Sequence, residues 1–451
     1  MSASPSPRWH ACFSAMLLAG CASYAPQPLA TDPGVLAVPV AAALSRDAAA
    51  IKRPYLAPTT INLAEPLDGN AIATLAVINN PDLKAQRVRA GINDAQAFAA
   101  RLLPDPTFSL GASRVLTGPD PFLDLASTLG FDLATLRSRG VRLAATRATL
   151  RQVRLDLAWA EWQTAGQARI QAARIQGLEC SLALATASRG VTQSLLDRTL
   201  RAAGRGDLPP DQLQAARIGA YDAQERVRVA ERDLAAARFE LVRLLGLPPG
   251  FALRLAPSPV PLPPPSPATL FALAIEKRAD LQALAAGYDA QEAIVRKAIL
   301  DQFPTLALTI NGARDSAGNT LLGPVVDFTL PLWNRNRGGI AVEQATRAAL
   351  KAEYDAQLFQ TRATIAAAVG GIAVAARQRA AVLRDLPALQ TFATASRRAA
   401  SRGDLAPATA DTAEQAVRDK QALVAQIEQD IAEQTIALEL LTGTPKEDWP
   451  R

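Results

Sequence analysis

The stretches Ala203-Gly204-Arg205-Gly206-Asp207-Leu208-Pro209-Pro210 and Ala400-Ser401-Arg402-Gly403-Asp404-Leu405-Ala406-Pro407 lie 197 residues apart and carry the same local instructions. Each follows a long run dominated by Ala, Leu, Arg, Gln and Glu, which favour helix. Glycine ends such a run because it enters the left-handed region at little cost. Aspartate is then suited to cap the next helix, and proline to occupy its first turn. Each stretch therefore reads as a tight reversal between a descending and an ascending helix. Capping chemistry accounts for Arg-Gly-Asp here without an adhesion role.

Outward from these turns the correspondence continues in order. Asp82-Leu83 recurs as Asp280-Leu281, Pro106-Thr107 as Pro304-Thr305, and Ala145-Thr146-Arg147-Ala148 as Ala345-Thr346-Arg347-Ala348. Gly246 and Pro248 return as Gly443 and Pro445. A period near 200 residues is far longer than the roughly 20–50 of a solenoid repeat. The chain thus reads as two copies of one unit, each helix, two strands, very long helix, turn, helix.

The first unit spans residues 67–250 and the second residues 268–448. In the first, the leading helix runs from Ala71 to Leu103 and is interrupted at Asn80-Pro81, because proline fits the start of a helix better than its interior. A hairpin follows at about 107–133, then a long helix at about 137–203 and a returning helix from Pro209 to Leu245. In the second unit the hairpin is expected at about 305–332, the long helix at about 338–401 and the returning helix from Pro407 to Leu441. Pro387 interrupts that second long helix opposite Gly190, which predicts a bend shared by both units; the alternative is a local break with no mechanical role. A proline-rich strap, residues 251–267, joins the units in extended form.

The alternating runs are about nine to eleven residues long, the length at which a tilted strand crosses a bilayer, although a soluble hairpin looks similar. Two hairpins cannot close a barrel, and lipid does not tolerate open sheet edges. Several chains would have to pool their strands. The long helices, on the order of 100 Å at 1.5 Å per residue, far exceed a bilayer and must extend into an aqueous space with partners along their length.

At the N-terminus, Arg8 precedes an apolar run from Ala11 to Gly20 that is too short to span a membrane. It ends in Leu18-Ala19-Gly20-Cys21, which resembles a bacterial lipobox. Residues 1–20 therefore read as a lipoprotein-type signal peptide, residues 21–66 as a lipid-anchored segment and Cys21 as the acylated residue; the alternative is an ordinary signal peptide. Ala22, rather than aspartate, favours passage to the outer membrane. His10, the sole histidine, and both methionines fall within the segment removed. Histidine-based nucleophilic machinery and histidine metal sites are thereby excluded from the mature chain. Cys180 lies in a helical pattern and reads as a small packing residue. The 48 basic and 42 acidic residues are interleaved, as on solvated helix faces and unlike a nucleic-acid patch. No catalytic residue, metal site or cofactor is expected, and the chain does not read as an enzyme.

The duplication, the Asn80-Pro81-Asp82-Leu83 and Arg278-Ala279-Asp280-Leu281 helix starts, the hairpins after Pro106 and Pro304 and the paired Arg-Gly-Asp-Leu turns together resemble the TolC-type outer-membrane efflux proteins over about residues 65–448. The turn Gly206-Asp207-Leu208-Pro209-Pro210-Asp211-Gln212-Leu213 is similar to the heavy-metal, CzcC-like branch. The resemblance implies a homotrimer, mainly α, with a twelve-stranded membrane β-barrel on a twelve-helix periplasmic tunnel. Residues from Cys21 to about Pro66 and the strap would pack around its middle. It implies a passive duct in the outer membrane, docked to a periplasmic adaptor (a membrane fusion protein) and an inner-membrane pump of the RND type, exporting small molecules or metal cations. Adaptor contact is implied for Arg205, Gly206, Asp207, Leu208, Arg402, Gly403, Asp404 and Leu405, and Asp211 and Asp411 are the candidates for the acidic ring of a gate. The competing readings are a lipid-anchored periplasmic coiled-coil scaffold without a pore, and a duct for type I protein secretion.

Overall fold

Asp68 and Ser266, 198 residues apart, open the two units with the same bond: a side-chain oxygen accepts from the backbone N–H three residues on, at Ala71 and Thr269. These are N-caps that satisfy otherwise orphaned donors. The computed structural model describes residues 24–29, 37–51, 53, 55–57, 59–114, 117, 123–257, 262–314 and 318–450. Residues 39–451 form one compact unit. Cys21 and the leader sequence lie outside the described residues, as do the tip of the first hairpin and part of the strap.

After a short helix α1 (Ala41–Ala50), the first repeat comprises α2 (Gly69–Asn79), α3 (Pro81–Ala99), β1 (Thr107–Arg114), β2 (Leu123–Asp132), α4 (Leu133–Gly204) and α5 (Pro210–Leu244). The second repeats that order as α6 (Pro267–Lys277), α7 (Ala279–Leu300), β3 (Leu306–Arg314), β4 (Thr320–Phe328), α8 (Arg337–Ser401) and α9 (Pro407–Thr442), followed by a short 3-10 turn at Lys446–Asp448. β4 ends at Phe328, so the strand expected to reach residue 332 is shorter; Leu330 and Leu332 lie beyond it, exposed. The helix expected to run on to Leu103 ends at Ala99.

α4 is the spine of the molecule, packing against α5, α7, α9, α2 and α3. Its neighbours approach closely because alanine and glycine line the contacts: Ala165, Ala168 and Ala172 are buried, and Leu440 lies directly over Gly166. The main apolar core sits where α2 meets α4 and α5, around Leu75, Ile175, Leu241 and Leu245. A second gathers Leu270, Ile365, Ile372 and Leu438 from α6, α8 and α9. By length and composition α8 could cross a membrane, yet Ile365 and Ile372 of its apolar stretch belong to this core.

α8 runs through Pro387 without a break, so the expected interruption is absent. The proline lacks an N–H, but its own carbonyl still accepts from Thr391 Oγ1 at 2.9 Å. Buried positions in the two long helices correspond at an offset of 200 from Glu161/Thr361 to Ile175/Ala375, and at 197 for Thr199/Ser396. Three residues are therefore missing from α8 between those points. That is close to one turn of 3.6 residues, so the buried face stays nearly in line. Cys180, expected to be a packing residue, is exposed.

One junction occurs twice. Where α2 gives way to α3, Asn79 Nδ2 donates to the carbonyls of Leu245 and Gly246, and Asn80 Nδ2 to that of Leu244. Where α6 gives way to α7, Arg278 donates to the Leu441 carbonyl. In both repeats the last carbonyls of the returning helix, free by helix geometry, are thus satisfied by the residues that break the leading helix. Gly246 (φ +62) and Gly443 (φ +74) follow those carbonyls in left-handed conformation. A Cβ on Gly246 would sit 2.5 Å from the Asn79 carbonyl oxygen, and one on Gly443 would sit 3.0 Å from the Arg278 Cα.

Gly246→Ala should therefore add a backbone clash to left-handed strain and destabilise the protein by about 2–4 kcal/mol. Gly250→Ala, also at positive φ but in open space, should lose only about 1 kcal/mol. Comparing denaturation midpoints of the two variants in detergent checks this.

Candidate functional site

The two helical reversals have the same geometry. Gly206 (φ +76) and Gly403 (φ +82) are left-handed. The Gly206 N–H donates to the Ala203 carbonyl and that of Asp207 to Ala202; Gly403 and Asp404 donate likewise to Ala400 and Ala399. This paired pattern is the Schellman closure of a helix. The aspartates do not cap the ascending helices, as their position suggested. α5 and α9 begin after Pro209 and Ala406, which have no side-chain cap. Instead Asp207 accepts from Arg205 Nε at 2.7 Å and Asp404 from Arg402 Nε at 2.9 Å. The turn is so tight that the arginine two residues back reaches the carboxylate first. Each tip thus presents an exposed Arg–Asp pair beside a half-buried leucine, Leu208 or Leu405, and a glycine with open space around it.

Behind the tips the repeats diverge. Asp411 is buried between α9 and α4, where it accepts from Arg198. Asp211, on the first turn of α5, is exposed. Glu414 joins Arg397 of α8 and Arg418 of its own helix, and Ser188 donates to Gln415 at 2.8 Å. A groove between α4 and α5 is lined by Gly190, Gln193, Asp197 and Gln224, and one between α8 and α9 by Gln390, Ala393, Arg397 and Gln421. A Cβ at Gly190 would meet nothing, so packing places no demand for glycine there.

Farther from the tips, carboxylates are buried at the level of the helix breaks. Glu161, fully buried, accepts from Arg53 at 2.5 Å and from Arg87 at 2.7 Å. This clamps the N-terminal segment and α3 onto α4. Tyr55 stacks edge-on against Trp162 beside it, at 4.7 Å, and burial pushes its hydroxyl pKa far up. Arg278 lies over the Trp159 ring, donates to Thr361 Oγ1 and pairs with Asp280 at 2.6 Å. Glu439 of α9 pairs with Arg169 of α4 at 2.5 Å, and Glu433 with Arg174 at 2.8 Å. Apart from Arg278 and Asp280, which lie in a helix start that the sequence displays, nothing in the sequence marked these residues, because the partners are up to 270 positions apart. Among the described residues no cluster of His, Cys, Asp and Glu could hold a metal ion.

At the opposite end the four strands form one antiparallel sheet in the order β1-β2-β3-β4. The register places Phe108 beside Leu129, Leu129 beside Ile310, and Leu308 between Phe131 and Val326. Alternation then sends Phe108, Leu110, Leu125, Phe131, Leu308, Ile310, Val326 and Phe328 to one face, with Arg114 and Arg314 at its far end, and Ser109, Ser113, Thr128, Thr309, Asn311 and Asp327, with Leu321 and Val325, to the other. Phe108, Leu110, Val326 and Phe328 are more than half exposed. Among the described residues nothing covers the apolar face, and none pairs with the outer edges of β1 and β4.

Residues 270–444 match the family described as outer membrane efflux protein. No curated protein sequence matches the chain. Among solved structures the fold is similar to CusC, described in connection with transmembrane channel formation, at 17% identity and a TM-score of 0.66, covering 84% of this chain and 92% of that one. It is also similar to a membrane protein from Pseudomonas aeruginosa at 16% identity and a TM-score of 0.71, covering 88% and 100%. The CmeC outer membrane channel of Campylobacter jejuni matches at 13% and 0.67, covering 94% of each chain. At these identities the likeness is one of fold.

Burial pushes the Glu439 carboxyl above its ordinary value of 4.5, against the opposing pull of Arg169. A carboxyl raised on folding contributes stability that is complete below its unfolded pKa and lost as pH rises through the folded one. Glu439→Gln should therefore flatten the decline in denaturation midpoint as pH climbs from 4.5. Arg169→Ala, which leaves the carboxylate buried and alone, should cost roughly 3–5 kcal/mol and steepen that decline.

Proposed function

We propose that this chain, whose second repeat belongs to the outer membrane efflux protein family, is the outer-membrane exit duct of an efflux system. The observation that carries the reading is the sheet: an uncovered apolar face backed by a mostly small and polar one that also carries Leu321 and Val325, with both edges open among the described residues. A scaffold in the aqueous periplasm would have no use for such a face, which argues against the pore-less alternative. In lipid the apolar face is solvated by acyl chains, and the polar face can line water. The edges must then be paired by other copies. Three copies supply twelve strands and, from α4, α5, α8 and α9 with the shorter stacked helices, a tunnel of twelve helices. The chain is not an enzyme.

In this reading the tips at Arg205-Gly206-Asp207-Leu208 and Arg402-Gly403-Asp404-Leu405 meet a periplasmic adaptor. Glycine permits close backbone approach, leucine supplies an apolar contact, and the Arg–Asp pairs give orientation more than strength. An inner-membrane pump, of the RND type by family analogy, supplies the energy. Cys21 carries lipid, and Gly190 and Pro387 mark a bend in long helices that stay continuous through both positions. The mature chain brings no histidine or methionine to a cargo, so choice between small molecules and metal cations rests with the pump. A duct serving type I protein secretion would use the same architecture and is separated by its partners. Asp211 and Asp411 remain the gate candidates, with different tasks: Asp411 holds α9 to α4 through Arg198, while Asp211 is free to present charge.

Purified protein in planar bilayers should conduct, with a preference for cations. Asp411→Ala should raise the conductance of a closed resting state by releasing the α4–α9 tie, and Asp211→Ala should chiefly reduce cation preference. A protein that stays non-conducting in all three forms and is soluble after delipidation would sink the duct in favour of the scaffold.

A further inference from the structure

The first repeat passes from sheet to helix without a gap: β2 ends at Asp132, whose carboxylate accepts from the Thr135 N–H at 2.9 Å and caps α4. The second repeat does not. β4 ends at Phe328 and α8 begins at Arg337, which leaves residues 329–336 between them. This linker is fixed at both ends. The Thr329 N–H donates to the Thr305 carbonyl, and Asn336 Nδ2 donates at 2.8 Å to the Ala298 carbonyl near the end of α7. Arg335 and Asn336 hold left-handed backbone, φ +46 and +51, a region that residues with a Cβ seldom enter. Yet Leu330, Leu332 and Trp333 are 62%, 59% and 86% exposed. In water such a segment would display apolar side chains on an unfavourable, fixed backbone.

The height of the sheet indicates what covers them. Arg114 and Arg314 end the apolar rows of β1 and β3, and both are exposed. A guanidinium on a lipid-facing row belongs at a headgroup level, so the two mark the outer boundary of the membrane. Thr320 of β4 lies opposite Arg314. From Thr320 to Phe328 the strand covers about 26 Å at roughly 3.3 Å per residue, or about 20 Å of height at a tilt near 40°. The apolar band of a membrane barrel is about 25 Å tall. Thr329 still pairs, so Leu330 keeps the face of Phe328 and supplies the missing height. Leu332 and Trp333 then fall at the inner interface, with Arg335 and Arg337 just beyond it. Both arginines are exposed and make no ion pair among the described residues. Of the carboxylates in this region, Asp301 is taken by Lys297 at 2.6 Å, and Asp327 lies on the sheet's other face.

We propose that residues 329–337 form a lipid-binding foot, in which Leu330, Leu332 and Trp333 enter the periplasmic leaflet and Arg335 and Arg337 hold the phosphate of an anionic phospholipid. This rests on the duct reading, which places the sheet in lipid. An indole suits the interface because it is apolar with one polar end, and the guanidinium fork matches a phosphate. Only the second repeat carries the foot, so it sets the depth of one hairpin per chain.

The test uses the full chain in vesicles whose lipids are brominated near the headgroup, the bromine being carried by phosphatidylglycerol or by phosphatidylcholine at equal mole fraction. Trp333 fluorescence, read as the difference between the parent and Trp333→Phe, should be quenched by both. Phosphatidylglycerol should be preferred by at least about fivefold. Arg335→Gln combined with Arg337→Gln should keep the quenching and abolish the preference. Equal quenching by the two lipids in the parent overturns the phosphate site, and quenching by iodide in the water but by neither lipid overturns the foot. Conductance of the same vesicles separates these results from the duct. A conducting protein whose Trp333 no lipid reaches overturns the foot alone; a protein that neither conducts nor is quenched by lipid overturns both.

Discussion

The backbone groups left open along the outer edges of β1 and β4 constrain everything else about this molecule. In water they would be a modest liability; beside an apolar face that calls for lipid, each unpaired N–H or carbonyl costs several kcal/mol. In the proposed duct the sheet therefore cannot be finished by one chain. Two hairpins per chain follow from the internal repeat, and they arrive already paired to each other through β2 and β3. In the proposed assembly each copy has to find only one new strand partnership per edge. The long helices inherit this arrangement, because each must have a neighbour on both sides wherever the sheet curves.

That inheritance explains why near-identical repeats carry different residues at matching positions. A contact made within the chain forms as the chain folds, and can use charges whose partners are delivered by covalent connection. A contact between copies must attract as well as fit. Arg169–Glu439 and Arg174–Glu433 occupy the first kind of seam. Val88, Ile92 and Val374 stand exposed where the second kind would form. The divergence follows from the use to which each seam is put.

The elements were legible in the sequence because their signals are local. Asn80-Pro81, Pro104, Pro106 and the glycines before Pro248 and Pro445 punctuate helices whatever surrounds them, and the long helices announced themselves by composition. Three local readings failed where tertiary geometry prevailed. Asp207 and Asp404 are drawn to the arginine two residues back and do not cap. Pro387 is carried through by a helix packed along its length. Cys180 falls on an open face of α4 that no pattern so rich in alanine could distinguish from a packed one. The buried ion pairs were invisible for a different reason: Glu161 meets Arg53 and Arg87 only because three separate segments cross at one level, and a lone glutamate in a helical run looks like any solvated residue.

The burial of those ion pairs grades along the helices. At the level of the helix breaks, Glu161 and Glu439 are removed from water and fixed by arginines, so separating them exposes a charge to a poor solvent and costs several kcal/mol. Nearer the tips, Asp411 is buried but its Arg198 partner is two-fifths exposed, which screens the pair and makes it sensitive to salt. At the tips themselves the Arg205–Asp207 and Arg402–Asp404 pairs are open to water and contribute little. Resistance to separation therefore falls steadily from the middle of the helices to their turns. Helices so held can splay at the turn end while the junctions at Gly246 and Gly443 stay closed. The three-residue difference between α4 and α8 lies between these two regimes. It means that the two helical hairpins of one chain would not splay alike, and that the tip end of the α4–α9 seam, held by Ser188–Gln415 and the partly screened Arg198–Asp411 pair, is where such a motion would begin.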